Sequence, residues 1–217
     1  MPGKRERDGG PNDVDDGRPD LAEQRDTPMV YQPAEDSDLL ARTARGQATP
    51  GERALDVGTG SGYVAEVLDE AGVDVVAADL NPEACREAAD RGVPVVRADL
   101  LDPFRDGAFD LVTFNPPYLP TEPDKEWDDW MEHALSGGED GRRLVDPFLD
   151  EVERVLAPGG RVFLLISSLT GIGDVQRYAH ERGLAGEILA DEAHPYERLV
   201  VIRFERQGDQ RPGVSEA

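Results

Sequence analysis

Asn115, Pro116, Pro117 and Tyr118 follow directly on the apolar run FDLVTF (109–114), so an amide, two residues lacking an N–H and an aromatic ring stand where a strand should end. Proline disfavours helical backbone in the residue before it, so Pro116 holds Asn115 extended and Pro117 does the same to Pro116. The stiff loop presents two acceptors, the Asn115 side-chain oxygen and the Pro116 carbonyl. Two fixed acceptors match the two hydrogens of one planar NH2 group, and Tyr118 can stack on the flat group that carries it. The nitrogen of a carboxamide or aromatic amine is a weak nucleophile because its lone pair is delocalised. Holding both hydrogens points that nitrogen at an electrophile and favours the charge that develops on it. Alignment alone can contribute about 7–11 kcal/mol in ideal cases. The proton can leave after transfer, so the loop demands neither a metal nor a strong general base. The histidines, His133, His180 and His194, are not at ligand spacing, and no metal site is expected.

Glycines and acids recur at other strand ends. The stretch LDVGTGSGYVA (55–65) passes from strand to helix through Gly58, Gly60 and Gly62. Glycine permits the tight turn and lets a ligand approach bare backbone, while the amides of the following helix favour a negative group. The dinucleotide fingerprint would need glycine at 63, where Tyr63 stands. Asp56 closes the first strand, Asp79 ends the second in VVAADLNP, and Asp99 follows the third in VVRADLL. A carboxylate at Asp79 can accept from both hydroxyls of a ribose. Asp99 could equally cap a turn or helix.

Strands and helices alternate along the chain to position these groups. Apolar strands are expected over 52–57, 73–80, 93–100, 109–115 and 161–168, with helices over 62–72, 81–92, 141–160 and 173–183. Two last strands, 184–193 and 198–206, flank a turn at His194 and Pro195. Such alternation implies an α/β fold, a mostly parallel sheet with helices on both faces, closed by a C-terminal antiparallel hairpin strand. Ligands bind such sheets beyond the carboxyl ends of the strands, where each of these motifs falls. Residues 1–28 are polar and rich in Asp, Arg, Gly and Pro, and 207–217 have similar character; both are expected to be disordered arms around a domain at 29–206.

The 217 residues carry a net charge of −23, with Lys4 and Lys125 the only lysines. The acids are spread along the chain, as in proteins of a high-salt cytoplasm, where a Debye length of ~3 Å at 1 M salt screens self-repulsion. The missing basic footprint argues against duplex DNA as a partner. No run approaches the ~20 apolar residues of a membrane span, and the first twenty residues have no apolar core, so a cytoplasmic location is expected. Cys85 is the single cysteine and is expected to pack as a small hydrophobe on a helix.

The glycine spacing behind Asp56 resembles motif I of class I S-adenosylmethionine-dependent methyltransferases, which have a Rossmann-like seven-stranded sheet. The resemblance implies that the helix end meets the methionine carboxylate and that Asp56 reaches its ammonium. Asp79 would hold the ribose, Asp99 the adenine amino group, and Leu100 would pack on the ring. NPPY (115–118) is similar to the motif of amino-methyltransferases acting on DNA adenine, RNA bases and release-factor glutamine. VYQPAEDSDLL (30–40) and SGGEDGRRLVDPFL (136–149) resemble segments of HemK-like release-factor glutamine methyltransferases, in their short archaeal and eukaryotic branch. Gln32 and Ser37 replace that family's usual glutamate and threonine; Ser37 keeps a hydroxyl that could touch the cofactor.

The family implies N5-methylation of the Gly-Gly-Gln glutamine of a class I release factor, with Asn115, Pro116 and Tyr118 on the substrate. It also implies a small zinc-binding activator along the sheet edge from Val93 to Arg97, whose Val93, Val95 and Val96 are apolar for a free edge. Ordinary packing under helices would explain those valines too. Trp127 and Trp130 could wall a substrate pocket. The alternatives are an RNA or DNA amino-methyltransferase on adenine N6 or guanine N2, a protein-lysine methyltransferase, or a silent scaffold on the same fold.

Overall fold

A computed structural model describes residues 30–121 and 135–209. The arm at 1–28, Trp127 and Trp130, and most of the tail therefore lie outside the described residues. The chain forms a seven-stranded sheet in the order β3-β2-β1-β4-β5-β7-β6. The strands are β1 (Arg53–Val57), β2 (Asp74–Asp79), β3 (Val95–Arg97), β4 (Phe109–Phe114), β5 (Leu156–Ser167), β6 (Leu184–Ala193) and β7 (Arg198–Arg206). Pairing from β3 through β5 is parallel, and β7 runs antiparallel to both β5 and β6. Among the described residues the α-helices are α1 (Glu35–Gln47), α2 (Tyr63–Asp69), α3 (Pro82–Asp90), α4 (Val145–Val155) and α5 (Ile172–His180). The expected fold class is the one observed.

Alternate residues of the central strands feed two cores. Ala54, Leu111, Phe163 and Leu165 pack with Leu39 and Leu40 of α1 and Leu68 of α2. Leu55, Val112, Phe114 and Ile166 face the other way, onto Phe148, Leu149 and Val152 of α4 and Val175 of α5. This period of two buries both faces of the sheet. No helix among the described residues is long and apolar enough to cross a membrane.

Three elements differ from the sequence pattern. The alternation begins at Glu52, yet α1 precedes it; its acidic first turn and Arg45 in the last turn suit the helix dipole. The helix expected to run through 160 ends at Val155, and β5 begins at Leu156. Pro158 disfavours helical backbone at Ala157, and the pairing with β4 skips from Leu156 to Arg161. The edge strand β3 is three residues long, and Val93 lies outside it, 4% exposed in the core. For Val93 ordinary packing accounts for the apolar side chain; Val96, 38% exposed, faces outward.

Candidate functional site

From β1 the chain winds through β2 to β3, and from β4 it winds the opposite way to β5, so the strand order reverses between β1 and β4. Val57 pairs with Phe114 at the carboxyl end of these neighbours. The glycine loop and the Asn115 loop therefore leave the sheet side by side, at the position where open α/β sheets bind ligands. Val57 also pairs with Ala78, which brings Asp79 alongside. A cleft of about 580 Å³ opens there, lined by Ser37, Asp56, Gly58, Gly60, Asp79, Asp99, Leu100, Asn115, Pro116, Pro117 and Tyr118.

Among the described residues, Gly62 is the one expected site residue that does not line this cleft. A Cβ there would stand 2.8 Å from Ala88 Cα, at a backbone φ of 84°. Its glycine is demanded by the close approach of α2 to α3. Gly58 and Gly60 make the turn itself, with φ of 58° and 53°. Asp79 braces that turn, accepting from Gly60 N at 2.9 Å and from Asn81 N at 2.8 Å. Each carboxylate oxygen has a second lone pair for another donor.

Asp56 sits beneath the loop, 2% exposed. Its two oxygens accept from the hydroxyls of Thr59 at 2.6 Å and Thr113 at 2.7 Å. Burial pushes its carboxyl up to about 6, with the two hydroxyls pulling the other way. Within the chain, Asp56 therefore ties the glycine loop to β4. Asp99 is exposed and makes no side-chain hydrogen bond among the described residues, so it caps nothing. Leu100 beside it has φ 43°, the only left-handed non-glycine backbone among the described residues. Such a conformation costs roughly 1–3 kcal/mol and tends to accompany function. Cys85 is half-buried on α3, and its thiol donates to Asp79 O at 3.4 Å.

At the other end of the cleft, Asn115 Nδ2 donates to Asp36 Oδ2 at 3.1 Å. A carboxylate accepts only, so Asp36 fixes which way the amide faces. Asn115 Oδ1 is consequently turned away from it, buried and without a partner. The Pro116 carbonyl likewise accepts nothing among the described residues. The two acceptors expected from the loop are both unpaired among the described residues.

Asp36 itself is 4% exposed. It also accepts from Tyr31 Oη at 3.1 Å and Ser37 N at 2.6 Å, and Tyr118 Oη approaches to 3.5 Å. Burial first, and then the Asp36 charge, push both phenols well above their ordinary range, so they stay protonated donors. Behind Tyr118, a Cβ on Gly141 would lie 2.5 Å from the Tyr118 carbonyl oxygen. The glycines of SGGEDGRR thus let that segment press against the NPPY loop, where Gly137 N donates to Leu119 O at 2.9 Å.

Asp36 and Tyr31 were not expected as site residues. The signal for Asp36 was its place four and eight residues before the buried Leu40 and Ala44, on the inward face of α1. Glu197, from the β6–β7 turn, also lines the cleft; nothing in its local sequence announced it.

A general methyltransferase domain model matches residues 55–116. A Methanocaldococcus jannaschii protein bearing the name protein N5-glutamine methyltransferase is 35% identical over 182 residues, spanning 81% of this chain and 91% of its own length. The human methyltransferase HEMK2 is 30% identical, over 81% of this chain and 89% of its own. Among solved structures, a chain of the E. cuniculi Mtq2–Trm112 complex, responsible for methylation of the eRF1 translation termination factor, aligns with a TM-score of 0.70. That alignment has 31% identity and covers 82% of this chain and 99% of the other. Nearly the whole length of these relatives is matched, and the chain belongs to the HEMK2-like family of protein N5-glutamine methyltransferases.

Proposed function

We propose that this protein transfers a methyl group from S-adenosylmethionine to the side-chain N5 of the Gly-Gly-Gln glutamine of a class I translation release factor. The observation that carries the reading is the Asn115 amide, pinned by Asp36 with its oxygen buried and unpaired at the strand-order reversal. The unpaired Pro116 carbonyl stands in the same loop. The residues of the cofactor end fit S-adenosylmethionine. The Gly58–Gly60 turn leaves backbone bare to the cleft, Asp79 keeps lone pairs for the ribose, and exposed Asp99 and strained Leu100 suit the adenine edge and face. When bound, the cofactor supplies an electrophilic methyl carbon on a positively charged sulfur, which leaves as a neutral thioether.

The chain's residues then act on the amide. Asn115 Oδ1 and the Pro116 carbonyl each take one N–H of the substrate's NH2 group, which turns the nitrogen toward the methyl carbon. As the N–C bond forms, positive charge grows on nitrogen, and these fixed acceptors stabilise it. Tyr118 flanks the flat amide, its backbone packed against Gly141 and its hydroxyl directed to Asp36. One proton then passes from the nitrogen to solvent water, which leaves the methylated amide neutral.

A small zinc-binding activator, as implied by the family, would pair with β3. That strand has one unpaired edge, with Val96 and the nearby Leu80 exposed. The test is co-expression with the host's activator and release factor at high salt, followed by peptide mass spectrometry for one added methyl on the Gly-Gly-Gln glutamine. Methylation by the wild type and its loss in Asn115→Ala are the expected results. Cofactor binding without methylation of the factor would overturn the reading and bring RNA bases forward.

A further inference from the structure

Five buried side-chain atoms lack a hydrogen-bond partner among the described residues, and two of them belong to residues that line the cleft: Asn115 Oδ1 and Glu197 Oε2. The first has a role in the proposed transfer, and the second has none. Glu197 closes the turn between β6 and β7, where His194 N donates to its backbone oxygen at 2.8 Å. That contact uses no side-chain atom. The next residue, Arg198, starts β7 and donates from its N to Ser168 Oγ at 3.0 Å. On the other side of the turn, His194 Nδ1 lies 3.0 Å from Glu35 Oε2, on the residue before Asp36. Glu197 is thus held at the Asp36 end of the cleft from both sides, and its charge is felt at the phenols of Tyr31 and Tyr118.

A buried carboxylate oxygen without a donor is costly, and one on a residue that lines a ligand cleft points to a donor on the ligand. A primary amide brings two hydrogens, which Asn115 and Pro116 already take. A third acceptor requires a third donor from the same substrate. A peptide supplies one unavoidably, because a backbone N–H lies beside the side chain that carries the amide. Adenine would not, since ring acceptors flank its amino group and a carboxylate repels them.

Building on the proposed methylation of a peptide glutamine, we infer that Glu197 contacts the substrate. Its Oε2 accepts a backbone N–H of the segment bearing the target amide, and it thereby selects peptide over adenine. Nothing covalent is asked of it.

Steady-state kinetics with the activator-bound enzyme and intact release factor test this, using Glu197→Gln and, as a charge control, Glu192→Gln. Glu192 lies in the same hairpin and pairs with Arg42 outside the cleft. Glu197→Gln should raise KM for the factor about tenfold or more, with kcat within about threefold and cofactor affinity by calorimetry unchanged. Glu192→Gln should match the wild type. An unchanged KM in Glu197→Gln, or an equal rise in Glu192→Gln, would overturn the inference while leaving the methylation intact. A wild type inactive on the factor would instead overturn the functional reading, and this inference with it.

Discussion

Asp36 shows how one buried charge sets the chemistry of a neighbour it does not share a loop with. It is a carboxylate, so Asn115 can offer it only the NH2 half of the amide, and the oxygen half is left for a ligand. Replacing Asp36 by asparagine keeps the volume but lets the pair bond in either sense. Roughly half of the Asn115 amides would then present hydrogens where acceptors are needed, and the anchor for Tyr31 would weaken. We expect Asp36→Asn to lower kcat by about twofold from the turned amides alone, and further as the Tyr31 anchor loosens, while cofactor affinity stays unchanged. Single-turnover methylation and calorimetry measure the two; a cofactor affinity that falls in parallel would assign Asp36 to the cofactor instead.

At the level of elements, the cleft depends on neighbouring strand ends being locked together. Asp56 does this by joining the glycine loop, through Thr59, to β4, through Thr113. Its folded pKa of about 6 lies above the ordinary 3.8, so the folded protein holds this proton more tightly than the unfolded chain. The contribution to stability is therefore full below about pH 4 and lost as pH rises through 6, a change on the order of 3 kcal/mol. Asparagine at 56 can accept from one threonine and donate to the other, and it does not titrate. The unfolding midpoint of the wild type should fall between pH 4.5 and 7.5 relative to Asp56→Asn, on the order of that energy. Parallel pH profiles from denaturant melts would show that the carboxyl is not held protonated.

Over the whole molecule, the charge of −23 is met by arginines that pair along the surface, such as Arg53 with Asp110 and Arg154 with Asp106. Exposed pairs of this kind contribute little each, so they do not offset the self-repulsion of so many acids. Salt screens that repulsion more effectively than it weakens the pairs. Thermal melts in KCl should show a midpoint that rises steadily from about 0.1 M to about 2 M, where the Debye length shrinks from ~10 Å to under ~3 Å. A flat profile would separate the acidic composition from adaptation to salt. The same charge makes a phosphate backbone a poor substrate scaffold, in agreement with a protein target.

Local chemistry in the chain was enough to determine most of the alternating elements, the glycine turn, the acids at strand ends and the stiff NPPY loop. Each depends on residues within a few positions of one another: proline geometry, glycine freedom and apolar period are all short-range. It was also enough for the fold class, because alternating strands and helices have few ways to pack. The tertiary structure alone decided which groups meet. Asp36 and Asn115 are 79 residues apart, and Glu197 reaches the same cleft from the far end of the chain. It also took Gly62 out of the cleft by packing α2 against α3, and buried Asp56 beneath the loop. Contacts of this range are set by strand order and by the closing turn of the sheet, and no periodicity within a segment encodes them.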